Sequence, residues 1–144
     1  MLILTLNNIY NQTVTILNKL KRTDGITGQD VWYKTVVNDA AWYDSVTRTA
    51  TVNATYIGRF ITVLIPFHEE FLPYNKWKQA GNQLGHYTIS IGDYIILGEV
   101  NEDITSQNIV KTMESYGENV CLVKYHTEPH ERGGNNIQIK VQCV

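Results

Sequence analysis

The sequence predicts a mainly β protein: a small antiparallel β-barrel or sandwich with one or two short helices and long loops. Three observations carry this. Runs rich in β-branched and aromatic residues recur along the chain with a period of two, which sends alternate side chains to opposite faces of a strand. Glycine, proline and Asn-Asp punctuate those runs at short intervals. Helical spacing of apolar residues is confined to one clear stretch, after residue 100. About seven to nine short strands result, and short links between them favour antiparallel pairing.

The elements follow in order. Thr13-Val-Thr-Ile-Leu17 is β-rich, and so is Asp30-Val-Trp-Tyr-Lys-Thr-Val-Val37. The Thr-Asp-Gly-Ile-Thr-Gly link makes them a hairpin with a wide loop. Ala40 to Asp44 stays extended after Asn38-Asp39, across a bulge, and Arg48 to Val52 alternates polar with apolar. Gly58-Arg-Phe-Ile-Thr-Val-Leu-Ile65 is the strongest strand; Pro66 ends it, having no N–H for a ladder. Phe67 to Gly85 loses the alternation. Pro73 starts a short helix there that ends near Gly81, and Phe71, Tyr74 and Trp77 recur every three residues. These rings either anchor the loop to the core or form a docking surface. His86 to Ile91 and Tyr94 to Leu97 are strands separated by a tight Gly92-Asp93 corner. Ile104, Ile109, Val110 and Met113 keep a helical period with Thr105 as N-cap. Asn119 to Tyr125 and Asn136 to Cys143 are the last two strands.

The 144 residues form one domain, 1–144, long enough to bury a core without help from metal or disulfide. The net charge of −2 calls for neither nucleic acid nor anionic membrane. No run approaches the apolar length of a membrane span, and MLILTLNNIY lacks the basic start and cleavage site of a signal peptide. A surface low in charge and rich in Tyr, Asn and Thr suits extended protein contacts. Cys121 and Cys143 fall on neighbouring strands, Cys121 opposite Gln142 or Cys143 and within bonding reach; reduced thiols are the default for a cytosolic product, and the sequence alone leaves their redox state open.

The chemistry-bearing stretch is Tyr125-His-Thr-Glu-Pro-His-Glu-Arg-Gly-Gly. His126, Glu128 and His130 alternate and share one face of a strand, a zinc-like pattern. Pro129 interrupts the ladder, and a zinc site also needs further ligands; His68 with Glu69 and Glu70, or His86, are the sources at hand. The plainer reading is a polar hairpin tip, with Glu131 and Arg132 in water and Gly133 and Gly134 supplying turn conformations. Phosphate loops and nucleophile elbows are absent from the sequence, and the acid groups Glu69-Glu70 and Glu99/Glu102/Asp103 read as acidic turns rather than as a hydrolase pair. No catalytic set and no cofactor are expected.

The order of Thr13-Val-Thr-Ile-Leu-Asn-Lys19, Asp30 to Val37, Ala41-Trp-Tyr-Asp44, Ile61 to Pro66, His86 to Gly98 and Arg132-Gly-Gly134 resembles a family of small phage and prophage proteins of Gram-positive bacteria. Genes of that family lie among head and head–tail joining genes. The resemblance implies a head–tail connector of head-closure (stopper) type, located in the virion neck and made in the bacterial host cytoplasm. Its implied partners are further copies of itself in a ring, portal and adaptor proteins, tail-terminator or tail-tube proteins, and packaged DNA met without sequence specificity. No membrane partner is implied. The candidate channel or contact loops are His126, Glu128, His130, Glu131, Arg132, Gly133 and Gly134 at the hairpin tip, and Phe71, Tyr74 and Trp77 in the 67–85 segment. A tail-terminator ring protein, a metal-dependent hydrolase built on the His/Glu tip, and a small-ligand or carbohydrate-binding domain using Trp32, Trp42 or Trp77 are the alternatives.

Overall fold

The computed structural model describes residues 10–25, 28–80, 83–127 and 139–143. Among them six strands close into a barrel in the order β1-β2-β3-β6-β5-β4. They are β1 (Gln12–Leu20), β2 (Val31–Ala50), β3 (Thr55–Ile65), β4 (Tyr94–Leu97), β5 (Val120–His126) and β6 (Ile139–Cys143). Every neighbouring pair is antiparallel. Two helices, α1 (Tyr74–Trp77) and α2 (Ile109–Tyr116), lie in the connections. The mainly β barrel expected from the period-two runs is therefore present. No helix of the described residues is long and apolar enough to cross a membrane.

Six strands rather than seven to nine appear because β2 is one strand of twenty residues. The runs at 30–37, 40–44 and 48–52 are not separated by turns. The Asn38-Asp39 irregularity is a bulge: Val14 pairs with Val37 but Gln12 pairs with Ala40. The extra residue bends β2 and lets one strand serve two neighbours. Its first half pairs with β1, Leu20 opposite Val31, as the wide-loop hairpin predicts. Its second half, Ala41–Ala50, pairs with β3.

β1 is buried on both faces, which explains its nearly unbroken Thr-Val-Thr-Ile-Leu run. Val14 and Ile16 face the barrel interior with Ile61, Val63, Ile65, Ile95, Val123 and Val141. Leu17 faces outward and packs with Ile96, Val100, Ile104 and Ile109, so α2 covers this side of the barrel. Thr15, fully buried, clamps the chain after β4: its hydroxyl donates to Gly98 O at 2.8 Å and accepts Val100 N–H at 3.0 Å. Thr105 caps the turn before α2, accepting Asn108 N–H while the Asn108 side chain accepts Thr105 N–H at 2.7 Å. The regular helix begins only at Ile109. Val110, placed by its spacing on the buried side, is instead 67% exposed.

His86 to Ile91 is a correction. It is extended, but it joins no ladder beyond a single parallel bridge between Tyr87 and Phe71. The Asn18 side chain takes the ladder's place. Its Oδ1 accepts Thr88 N–H at 3.2 Å and its Nδ2 donates to Thr88 O. The same Nδ2 donates to Asp93 Oδ2 at 2.9 Å, and Asp93 also accepts Lys19 N–H and Ser90 N–H at 3.0 Å each. The corner expected at Gly92-Asp93 is present, with Gly92 at φ 98°, where a side chain would be strained.

The cysteine expectation is also corrected. Cys121 is fully buried in the barrel core and is disulfide-bonded, not a free thiol. Cys143, the only other cysteine in the chain, lies opposite Val123 on the adjacent strand. The expected pairing of β5 with β6 holds, shifted by two residues.

Candidate functional site

The first candidate is a long ribbon. β3 gains β6 as a neighbour only over Ile61–Ile65, and β2 has β1 only through Ala40. From Ser45 opposite Phe60 to Ala50 opposite Thr55, β2 and β3 pair with no other strand among the described residues. At about 3.3 Å per residue this arm extends roughly 20 Å past the barrel. Its end is a tight turn in which Thr51 Oγ1 accepts Ala54 N–H at 3.1 Å and donates to Ala54 O at 2.9 Å. Its base is pinned by Arg59, which donates to both carboxylate oxygens of Asp44 from Nε, at 2.9 and 3.0 Å, and reaches Glu118 O from Nη2 at 2.9 Å. The guanidinium holds the Asp44 carboxyl below its ordinary range, and Asp44 in turn raises Arg59.

The arm gathers much of the molecule's exposed apolar surface. Tyr43, Val46, Phe60 and Val52, the last beside the end turn, are all exposed. Phe60 sits opposite Ser45, and Tyr43 opposite Thr62, so the two rings are diagonal neighbours on one outward face. An isolated two-stranded ribbon with apolar side chains in water is marginal, and its open edges invite a further strand. The sequence reads as an alternating run from Arg48 to Val52, but Ser45–Thr47 and Asn53–Ile57 were assigned to no element, so the runs were not joined into an arm. The signal was the alternation of Ser45-Val-Thr-Arg-Thr-Ala50 flanking Asn53-Ala54.

The second candidate is a cleft of about 370 Å³ between β2 residues Thr35–Asp39 and the segment Leu84–Tyr87. His68 lies at its wall and links two partners. Nε2–H donates to Asp39 Oδ2 at 2.9 Å, because a carboxylate only accepts, and Nδ1 accepts the Tyr87 hydroxyl at 2.7 Å. Burial, then the Asp39 and Glu70 charges, push the Tyr87 hydroxyl well above its ordinary value. Both imidazole nitrogens are thus engaged, leaving His68 no lone pair for a metal or a proton transfer from substrate. The chain Asp39–His68–Tyr87 pins residues 66–71 to the barrel. Among the described residues no group of three or more His, Cys, Asp or Glu is placed to hold a metal ion.

The sequence-derived residues fall into three sets. Trp77 is fully buried, stacked edge-on to Tyr33 at 5.6 Å, and Phe71 is buried against Tyr87 at 5.8 Å. Both are anchors of the 67–85 segment, and neither offers surface to a partner. Tyr74 is half-buried and ties the segment to the β1–β2 loop, donating to Asp24 at 2.8 Å; burial and that carboxylate push its hydroxyl up to about 12. His126 ends β5 opposite Val141, half-buried. Glu128, His130, Glu131, Arg132, Gly133 and Gly134 lie outside the described residues.

Fold and arm together define a closed antiparallel six-stranded barrel domain with one projecting β-ribbon. The chain belongs to DUF6751, a family of unknown function, whose model matches residues 9–144. No curated protein and no solved structure matches it.

Proposed function

We propose that this protein is a structural subunit of a tailed bacteriophage: a head–tail connector of stopper type, forming a homo-oligomeric ring in the virion neck. The observation that carries the reading is the β2–β3 arm with its exposed Tyr43, Val46 and Phe60. A closed barrel keeps most of its backbone edges paired, so its contacts with other chains fall to what projects from it. In a ring each subunit offers one surface to the next in head-to-tail fashion, and a stiff ribbon bearing aromatic side chains fits that need. The portal–adaptor above and the tail below complete the set of partners. Packaged DNA passes the lumen without tight phosphate contacts, in keeping with a net charge of −2.

The test is electron microscopy of a lysate from a phage or prophage lacking this gene. Tails lying separate beside heads emptied of DNA support the stopper reading. Full heads with unjoined, misterminated tails would move the protein to the tail terminator. Normal joined, filled particles would refute the connector reading.

A further inference from the structure

The Asp39–His68–Tyr87 hydrogen bonds hold one wall of the cleft, yet about 370 Å³ stays open between Thr35–Asp39 and Leu84–Tyr87. That is room for a small organic group. The titratable groups lining it all present acceptors. Asp39 gives Oδ2 to the His68 Nε2–H, and its Oδ1 has no hydrogen bond among the described residues. The Tyr87 hydroxyl spends its proton on His68 Nδ1 and keeps its oxygen lone pairs. His86 donates Nδ1–H to Glu70 O at 3.3 Å, a carbonyl that only accepts, so the neutral ring keeps its lone pair on Nε2. The exposed Glu70 carboxylate has no hydrogen bond among the described residues.

Both carboxylates lie near the same inner wall: after burial, the charges of Asp39 and then Glu70 raise the Tyr87 hydroxyl. Among the described residues no lysine or arginine lines the cleft to balance them. An anion is therefore repelled, and no three groups among the described residues are placed to hold a metal ion. A donor-rich organic cation matches the lining in both charge and hydrogen-bond sense. Val37 and the exposed Leu84 add carbon surface, which suits an alkyl stem behind the charged head. The walls are tied together in advance: Tyr87 N–H donates to Glu70 O at 3.0 Å and Leu72 N–H donates to Tyr87 O at 2.9 Å.

We propose that this cleft binds a guanidinium or primary ammonium group on an alkyl stem, with its N–H donors on Asp39 and Glu70. The inference goes beyond the connector reading and does not depend on it.

The test is NMR titration of the full-length protein with N-acetylarginine methylamide, whose guanidinium is its only charge. Saturable shifts of the Thr35–Asp39 and Leu84–Tyr87 amides are expected, with a Kd of about 1–10 mM. The citrulline analogue, equal in shape but neutral, is expected to bind at least about 10-fold more weakly. Glu70→Gln is expected to weaken the arginine probe about 3-fold, a modest loss because Glu70 is exposed, and to melt like the wild type. Asp39→Asn also disturbs His68, so Glu70→Gln is the cleaner variant. Ethylguanidinium distinguishes two sources of the same chemistry. Binding as tight as that of the arginine probe assigns the cleft to a free amine or guanidine, and weaker binding assigns it to a basic side chain of a polypeptide. Absence of saturation by about 20 mM arginine probe, equal binding of the citrulline analogue, or unaltered binding in Glu70→Gln would each overturn the proposal.

Discussion

Asn18 and Asp93 meet inside the barrel, amide nitrogen to carboxylate oxygen at 2.9 Å, though they lie on β1 and at the corner before β4. Asn18 is fully buried and spends its whole carboxamide there, pairing Thr88 N–H and C=O as a neighbouring strand would. Replacing it with leucine keeps the volume and strands three polar partners in an apolar setting. Asn18→Leu is expected to cost about 2–5 kcal/mol, read from the urea midpoint at unchanged m-value. A midpoint equal to wild type would mean that the 86–91 segment is held by something else.

The same carboxylate makes stability depend on pH. Burial pushes Asp93 up to about 6, against the opposing pull of Lys19 N–H, Asn18 and Ser90 N–H. The folded pKa is raised, so the folded state holds the proton more tightly than the unfolded chain, whose carboxyl has its ordinary value of 3.8. Its contribution is fully present below about pH 4 and is lost as pH rises to about 6, on the order of 3 kcal/mol in all, and it is flat above that. Asp24 and Asp44 are held below 3.8 and act in the opposite sense, losing their contribution as pH falls through their folded values. A carbon-detected titration of the Asp93 carboxyl should show a midpoint near 6; a midpoint near 4 would remove the argument.

Thr88 offers a gain. Its side-chain oxygen is buried with no hydrogen-bond partner, while its backbone is fully paired to Asn18. Valine has the same shape and no hydroxyl to desolvate. Thr88→Val is expected to stabilise the protein by about 1 kcal/mol, through removal of an unmet polar group rather than through any new contact. A loss of thermal stability in calorimetry would show that the hydroxyl is satisfied by solvent.

Much of the barrel was legible because its signals are local. The alternation before Pro66, the Thr23-Asp-Gly-Ile-Thr-Gly28 link and the Gly92-Asp93 corner each act within a few residues. The rest depends on contacts across the chain. Asn38-Asp39 reads as a break, yet the pairing of Gln12 with Ala40 turns it into a bulge inside one strand. His86 to Ile91 has strand composition, but its partner is the side chain of Asn18, seventy positions away at Thr88. Asp39, His68 and Tyr87 are unremarkable in sequence and come together only because His68 and Leu84–Tyr87 line one cleft with Thr35–Asp39 of β2. The thiol expectation failed for a different reason: it came from a compartment argument, whereas β5–β6 pairing sets two cysteine positions on adjacent strands.

The arm allows a separation of folding from assembly. Tyr43 and Phe60 are diagonal neighbours on its outward face, each about half exposed, and neither belongs to either apolar core. Exposed substitutions away from caps and special backbone positions change stability by no more than about 0.5 kcal/mol. The double variant Tyr43→Ser, Phe60→Ser should therefore melt like the wild type. If the proposed ring forms and the outward face is what one subunit presents to the next, the wild type should assemble in sedimentation and the variant remain monomeric, because two aromatic anchors carry a large share of a small interface. Arg59 and Asp44 remain intact in this variant, so the arm keeps its base. A variant that melts normally and still assembles would show that the subunit contact lies elsewhere on the barrel, and the β3 edge from Thr55 to Phe60, which no strand of the described residues pairs, would be the next surface to alter.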